Sequence, residues 1–197
     1  MGLEYEYECI LSVLVENQPS ILTRIVGLLT RRGFIIDSLA VGSSEYENFS
    51  RVVIVLQSNL RMIDQVTRQL YKLFSTVKVL NLSAIPSITR ELVLMKLLIT
   101  TIEERRQVLE IAKVFNLDII DFTNKTITLE ITGDSKKIVA IEQMLHKFGI
   151  IEKIRTGTIG LTKESLTNGQ LYTVRRDKVR RNMVGSHISE IEAKLYI

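Results

Sequence analysis

The order of the apolar segments constrains the fold of this chain more than any other feature. The run from Cys9 to Val15 is short and almost continuously apolar, which is typical of a strand buried on both faces. The segment after Pro19 carries apolar residues at helical spacing and ends at Gly33, a residue suited to a left-handed helix cap. The next segments are strands at 34–41 and 50–57, a helix at 59–74 and a strand at 77–82. Strand, helix, strand, strand, helix, strand is the order of the split βαβ, or ferredoxin-like, topology.

The second half of the chain repeats this order, with little identity between the two halves. Its segments are a strand at 91–99, a helix at 103–115, hairpin strands at 117–122 and 126–131, a helix capped by Asp134 or Ser135, and a closing strand at 150–159. The sequence therefore predicts an α+β protein with two tandem ferredoxin-like βαββαβ domains.

Changes in composition along the chain predict its domain boundaries. We expect a first domain at 7–83, a linker at 84–89, a second domain at 90–163, and a basic, loosely ordered tail at 164–197. The net charge is +4, and much of the excess lies in a tail cluster: Arg175, Arg176, Lys178, Arg180 and Arg181. A basic tail indicates nucleic-acid binding less well than a basic stripe on a folded face, so we expect no nucleic-acid partner.

The sequence gives little sign of secretion or membrane insertion. The single cysteine, Cys9, cannot form a disulfide within the chain, which favours a reducing compartment. The first eight residues are acidic and do not resemble a leader, and the apolar runs are too short to span a bilayer. We therefore expect no membrane association.

Residues that could support catalysis are sparse. The chain has two histidines, His146 and His187, and lacks the common metalloprotease, nucleotide-binding and serine-hydrolase motifs. Cys9 lies in a buried strand, where an inert thiol is the ordinary role. Asp118 and Asp121 are an odd number of positions apart, so a regular strand would place them on opposite faces. We expect no catalytic residue and no metal site in this chain.

RNA-recognition modules share this topology and form an alternative. They stack bases on exposed aromatic residues of two central strands. The start Arg32-Gly33-Phe34 superficially resembles their signature, but the aliphatic Ile35 and Ile36 follow it. The aromatic residues that such a function requires are therefore missing.

The loop from Asn17 to Leu22 joins the first strand to the first helix. A helix start presents unpaired N–H groups and the positive end of the dipole, which favour a carboxylate. Asn17 adds an amide, and Ile21 and Leu22 add apolar surface. The loop suits a small amino acid, although, taken by itself, the stretch is better explained as an ordinary capped helix start.

One ordered set of motifs extends over both predicted domains. It comprises Ile10 to Pro19, Leu22-Thr23-Arg24-Ile25, Gly27-Leu28, Arg31-Arg32-Gly33-Phe34, Ser38 to Gly42, Ser50-Arg51, Arg155-Thr156-Gly157 and Gly160-Leu161. These motifs resemble the regulatory small subunit of acetolactate synthase. The resemblance covers about residues 8–163 and implies that the first domain is an ACT domain, a module that binds amino acids. It implies a non-catalytic chain that activates a catalytic subunit, which condenses two pyruvates to acetolactate, and that confers feedback inhibition by valine.

The resemblance also implies where the effector binds and where the cofactors belong. Valine would lie between two copies of the chain, in a homodimer. One copy would contribute Asn17, Gln18, Pro19, Ser20, Ile21 and Leu22, and the other Phe34, Ile35 and Ile36. Thiamine diphosphate, Mg and FAD would belong to the catalytic subunit, with no cofactor in this chain.

Two positions depart from the family pattern. The family usually has glycine where this chain has Ser20, and asparagine where it has Ile35. Since a serine Cβ obstructs close approach to the backbone, we expect weakened or lost valine binding with retained binding to the catalytic subunit. Ser20 could instead compensate with its hydroxyl.

The sequence leaves alternatives for the tail, the function and the compartment. The tail could contact an acidic patch of the catalytic subunit, or be a solvated appendage, which we favour. A free-standing ACT-type sensor of another enzyme is the alternative function. The composition, rich in Ile, Leu, Lys and Asn, favours a plastid stroma over a bacterial cytoplasm.

Overall fold

The computed structural model describes residues 7–163. Its strands are β1 (Tyr7–Glu16), β2 (Ile36–Ser43), β3 (Phe49–Ser58), β4 (Thr76–Asn81), β5 (Ser87–Leu98), β6 (Asp118–Phe122), β7 (Thr126–Gly133), β8 (Ile150–Arg155) and β9 (Ile159–Thr162). Its α-helices are α1 (Ile21–Arg31), α2 (Leu60–Leu70), α3 (Ile102–Phe115) and α4 (Ser135–Leu145). The predicted tail and its cationic cluster lie outside the described residues.

The described residues form two compact units, one with residues 7–88 and 160–163, the other with residues 89–159. The sheet of the first unit is antiparallel, in the order β2-β3-β1-β4. α1 and α2 cover one of its faces, where the core residues are Cys9, Leu11, Val13, Val15, Ile21, Ile25, Leu29, Phe34, Val52, Ile54, Leu56, Ile63, Val66, Leu70 and Val79. The predicted split βαβ topology is confirmed.

The central strands of the first sheet are buried on both faces. Leu11 and Val13 face the helices, while Leu14, at 2% exposure, points to the other side of β1. In β3, Val53 and Val55 are also buried on that side. A strand buried on both faces needs an almost continuous apolar run, which is the pattern that predicted β1.

The main path of the second sheet has the order β6-β7-β5-β8, with β9 paired to β5. Here β5 and β7 alternate between buried and accessible residues, which is typical of a sheet with helices on one face. The core residues are Val93, Met95, Leu97, Ile99, Val108, Ala112, Leu117, Ile127, Leu129, Ile131, Ile138, Ile141, Leu145 and Phe148. The second unit therefore has the predicted ferredoxin-like architecture.

Local chemistry explains the ends of the helices. Gly33 has a φ of 76°, and Phe34 N donates to Leu29 O at 3.1 Å, so the predicted glycine cap ends α1. Asn116 ends α3 in the same left-handed region, with a φ of 51°. α4 begins at the Asp134 cap, whose carboxylate accepts from Lys137 N at 2.8 Å.

Several element boundaries differ from those predicted. The strand expected at 150–159 is two strands, because Thr156 bonds with the backbone of Leu92 and Gly157 follows in the break. β5 begins at Ser87, inside the segment expected to be a linker. α2 ends at Leu70 instead of continuing to 74.

The prediction that Asp118 and Asp121 lie on opposite faces was wrong. β6 shifts register between Ile119 and Asp121. Asp118 pairs with Glu130 and Asp121 with Thr128. Since those partners are two residues apart on β7, both aspartates share a face. The bulge adds one residue and changes the phase of the strand.

Candidate functional site

The loop between β1 and α1 is tied to the start of β3 through Asn17. The backbone N–H of Asn17 donates to the carbonyl oxygen of Asn48 at 2.8 Å. Its side-chain Oδ1 accepts a hydrogen bond from the Ser50 hydroxyl at 2.5 Å. These two hydrogen bonds fix the backbone and the amide oxygen of Asn17, although the residue is exposed to solvent.

Gln18 ties the same loop to the turn before β4. The hydroxyl of the buried Ser75 donates to Gln18 Oε1 at 2.7 Å, and Gln18 Nε2 donates to Glu16 Oε2 at 3.2 Å. The Gln18 carbonyl also accepts from Ile21 N at 3.2 Å. Both the oxygen and the nitrogen of the Gln18 side-chain amide therefore form hydrogen bonds within the protein.

Ser20 introduces α1 in an unusual conformation. Its φ of 64° and ψ of 14° lie in the left-handed region, which glycine adopts without steric cost. Its hydroxyl donates to Pro19 O at 2.5 Å and does not cap the helix. Glycine would therefore relieve strain at this position.

The first turn of α1 exposes hydrogen-bond donors. No side chain caps the turn and it holds no acidic residue. Within residues 7–163, no acceptor pairs with the N–H of Leu22 or Thr23. Two free donors at the positive end of a helix dipole suit a small carboxylate.

The second set of predicted effector residues has one exposed member. Phe34 is 5% exposed and Ile36 packs against the core, so neither presents its side chain outward. Ile35 is 52% exposed and precedes β2. Of this set, Ile35 presents the most side-chain surface to a ligand.

A single copy of the chain does not bring the two predicted sets together. They lie at opposite ends of α1, whose 11 residues span about 16 Å. The register agrees, because Glu16 pairs with Phe49 at one end of β3 while Ile36 pairs with Leu56 near the other. A site that uses both sets requires two copies.

An ion pair lies beside the loop on the other sheet face. Arg51 donates to both oxygens of Glu45, at 2.7 and 2.8 Å, and reaches Ser12 Oγ at 3.4 Å. Burial opposes ionisation of Glu45, but the hydrogen bonds and charge of Arg51 outweigh it and lower the pKa of Glu45. Burial, with the charge of Arg51, lowers the pKa of Lys78. The pair stabilises the hairpin that contains Asn48.

Candidate catalytic residues are not assembled. Cys9 is fully buried, as predicted, and burial raises the pKa of its thiol to about 11. His146 is exposed at the end of α4, and His187 lies outside the described residues. Within residues 7–163, no cluster of His, Cys, Asp or Glu could hold a metal ion, and no helix there is suited to cross a membrane.

Comparison with known proteins identifies the family. Residues 11–78 match the model of the "AHAS small subunit-like ACT domain", and residues 90–164 match the "Small subunit of acetolactate synthase". A probable acetolactate synthase small subunit of Methanothermobacter thermautotrophicus is 38% identical over 158 residues, covering 80% of this chain and 94% of the relative. The chain belongs to the acetolactate synthase small-subunit family.

Further relatives agree with this assignment. The acetolactate synthase small subunit of Mycobacterium leprae is 40% identical over 153 residues, 78% of this chain and 90% of that protein. The crystal structure of the small subunit from Thermotoga maritima has a TM-score of 0.75 and 31% identity, covering 81% of this chain and 99% of that one. The predicted family and fold, with an ACT domain first, are confirmed.

One relative is considerably longer. The chloroplastic acetolactate synthase small subunit 2 of Arabidopsis thaliana is 44% identical over 155 residues, which are 79% of this chain. The match spans only 32% of the Arabidopsis protein. The small-subunit family therefore includes proteins of more than one length.

The structure separates the predicted effector residues of this small subunit by role. Asn17, Leu22 and Ile35 present groups to solvent, whereas Gln18 and Phe34 are engaged internally. Sequence reasoning missed Asn48, Ser50 and Ser75, which hold the loop in place. Ser50 was visible in the Ser50-Arg51 motif, but its contact with Asn17 joins positions 33 residues apart.

Proposed function

We propose that this chain is the non-catalytic regulatory subunit of acetolactate synthase. It binds the thiamine-diphosphate-dependent catalytic subunit and raises the rate at which two pyruvates condense to acetolactate and CO2. The observation that carries the proposal is the match of both units to small subunits over 94% of a relative's length. An end product of the biosynthetic route that starts with this reaction would then inhibit the enzyme by binding to the ACT domain.

The chemistry of the reaction belongs to the catalytic subunit in this proposal. The thiol of Cys9 is buried and has a raised pKa, so it is poorly suited to act as a nucleophile. Thiamine diphosphate, Mg and FAD are accordingly assigned to the partner subunit. The role of this chain would be to bind the catalytic subunit and to respond to the effector.

The proposed effector is valine, bound at the start of α1. Its carboxylate would accept hydrogen bonds from the N–H groups of Leu22 and Thr23, at the positive end of the helix dipole. Asn17 would contribute its side-chain amide. Ile35 would come from the second copy of a homodimer, because the two sets are about 16 Å apart in one chain.

We propose that valine binds weakly in this member of the family. Ser20 places a Cβ and a hydroxyl where glycine would leave the backbone open. Ile35 replaces a polar contact with an exposed aliphatic side chain. Activation of the catalytic subunit does not depend on these two groups and would persist.

A reconstitution experiment tests the proposal. The chain is mixed with a catalytic subunit from the same source, and sedimentation velocity and the rate of acetolactate formation are measured together. A faster-sedimenting complex with a raised rate is expected. Free chains with an unchanged rate would contradict the proposal and leave a sensor of another enzyme as the better hypothesis.

We place the protein in a plastid stroma, with a bacterial cytoplasm as the alternative. Small subunits of both kinds of source are similar to it, from the Arabidopsis chloroplast and from Mycobacterium. A coding sequence of high GC content would count against the plastid.

A further inference from the structure

The side-chain amides of Asn17 and Gln18, in the loop between β1 and α1, form different sets of hydrogen bonds. In both Asn17 and Gln18, a serine hydroxyl donates to the amide oxygen, Ser50 at 2.5 Å and Ser75 at 2.7 Å. The two residues differ in their amide nitrogens. Gln18 Nε2 donates to Glu16, whereas no group within residues 7–163 accepts from Asn17 Nδ2.

The hydroxyl of Ser50 decides which end of the Asn17 amide is available. An amide offers one acceptor end and one donor end. With Oδ1 fixed by Ser50, the donor end is the one left for a ligand. The backbone of Asn17 is fixed as well, since its N–H donates to Asn48 O at 2.8 Å, so the side chain has little freedom to turn away.

The neighbouring free groups are also donors. The N–H groups of Leu22 and Thr23 at the start of α1 have no acceptor within residues 7–163. A ligand group that accepts several hydrogen bonds and carries negative charge satisfies all of them, and a carboxylate does both. An Asn17 amide turned the other way would present its oxygen to that carboxylate and repel it.

We infer that Ser50 is the positioning residue of the effector site. Its hydroxyl holds Asn17 Oδ1, so that Asn17 Nδ2 donates to the carboxylate of the bound amino acid. Ser75 holds the adjacent Gln18 for structural reasons only, because both ends of that amide are already used. This inference rests on the proposed function, in which the site takes valine.

The test compares valine with valinamide, which keeps the ammonium and the side chain but lacks the carboxylate charge. Binding of each is followed by NMR titration of the full chain, as wild type, Ser50→Ala, Ser50→Thr and Ser75→Ala. Unfolding midpoints of all four proteins are measured in parallel. The ratio of the two dissociation constants reports carboxylate recognition, which a loss of stability alone would not change.

We expect wild type to prefer valine and Ser50→Ala to lose about tenfold in valine affinity, the effect of one charge-assisted hydrogen bond. The affinity for valinamide should change little, so the preference of Ser50→Ala for valine over valinamide should fall. Ser50→Thr retains the hydroxyl and should keep the preference, and Ser75→Ala should keep it despite a lower unfolding midpoint.

An unchanged ratio in Ser50→Ala would overturn the inference and leave valine as the effector. Equal losses in Ser50→Ala and Ser75→Ala would also overturn it, because the effect would then be general to the loop. A wild-type chain that binds neither compound would overturn the proposed effector itself, and the inference with it.

Discussion

Arg155 holds the buried carboxylate of Glu91 at the end of the second sheet. Its Nε donates to Glu91 Oε2 at 2.6 Å, and the hydroxyl of Thr158 donates to Oε1 at 2.6 Å. Arg155 also donates to the Ser135 hydroxyl at 2.9 Å, at the start of α4. One carboxylate thus ties together β5, β8, α4 and the segment after β8.

Glu91→Gln should lower the free energy of unfolding by about 2 kcal/mol. The change removes the negative charge that compensates a partly buried guanidinium, and such losses are costly. Arg155 is still 33% exposed, so water screens part of the effect. Urea unfolding followed by circular dichroism measures the change.

The matched control is Arg106→Gln. Arg106 pairs with Glu110 on the surface of α3, with side chains 71% and 62% exposed, so its loss should cost less than about 0.5 kcal/mol. Equal effects of the two substitutions would show that burial of Glu91 does not matter.

Ser20→Gly should raise the free energy of unfolding by about 0.5–1 kcal/mol. Ser20 has a φ of 64°, where a Cβ is strained and glycine is not. Valine should also bind more tightly, because the Cβ no longer obstructs the helix start. Unfolding and NMR titration measure the two effects.

Ser20→Ala separates the Cβ from the hydroxyl. Alanine keeps the strained Cβ and loses the bond to Pro19 O, so it should not share the gain. A loss of valine affinity in both variants would instead favour the serine hydroxyl as a compensating ligand.

Ile35→Asn should leave stability nearly unchanged, since the side chain is 52% exposed. Combined with Ser20→Gly, it should tighten valine binding further than Ser20→Gly alone. Calorimetry on the double variant and on the unmodified chain provides the comparison. Tight binding by the unmodified chain would contradict the proposal that its site is weakened.

The buried thiol of Cys9 should make stability fall at high pH. Burial raises the pKa of Cys9 from 9.0 to about 11. Between these values the unfolded thiol has lost its proton while the folded one keeps it, so deprotonation favours the unfolded chain. The loss should reach about 2–3 kcal/mol at about pH 11.

Lysines and tyrosines titrate in the same range, so wild type is compared with Cys9→Ala. The variant should show a smaller decrease in the free energy of unfolding between about pH 9 and pH 11. Parallel curves for the two proteins would mean that the thiol does not titrate differently on folding. Alkylation of native Cys9 should correspondingly be slow near neutral pH.

The sequence predicts the elements of the fold well, because its hydrophobic periods are clear. The continuous run of β1, the helical stripe of α1 and the cap at Gly33 each identify their element from local chemistry. The breaks are harder to predict. The end of β8 depends on the bonds between Thr156 and Leu92, which are 64 positions apart, and the bulge after Ile119 leaves no local signal.

The candidate site was predicted in part. The loop from Asn17 to Leu22 is where a strand passes into a helix, and that much is visible locally. Which of its residues face a ligand depends on Ser50 of β3 and on Ser75, in the turn before β4, both of which are distant in the sequence. The left-handed backbone at Ser20 also needed the structure, since serine does not ordinarily indicate it.

Acetolactate formation by the catalytic subunit from the same source, with and without this chain and across a valine titration, tests the central claim most directly. We expect the chain to raise the rate, and valine to lower that raised rate weakly in wild type and more strongly with Ser20→Gly and Ile35→Asn. A rate that this chain does not change, at any valine concentration, would contradict its assignment as the regulatory subunit.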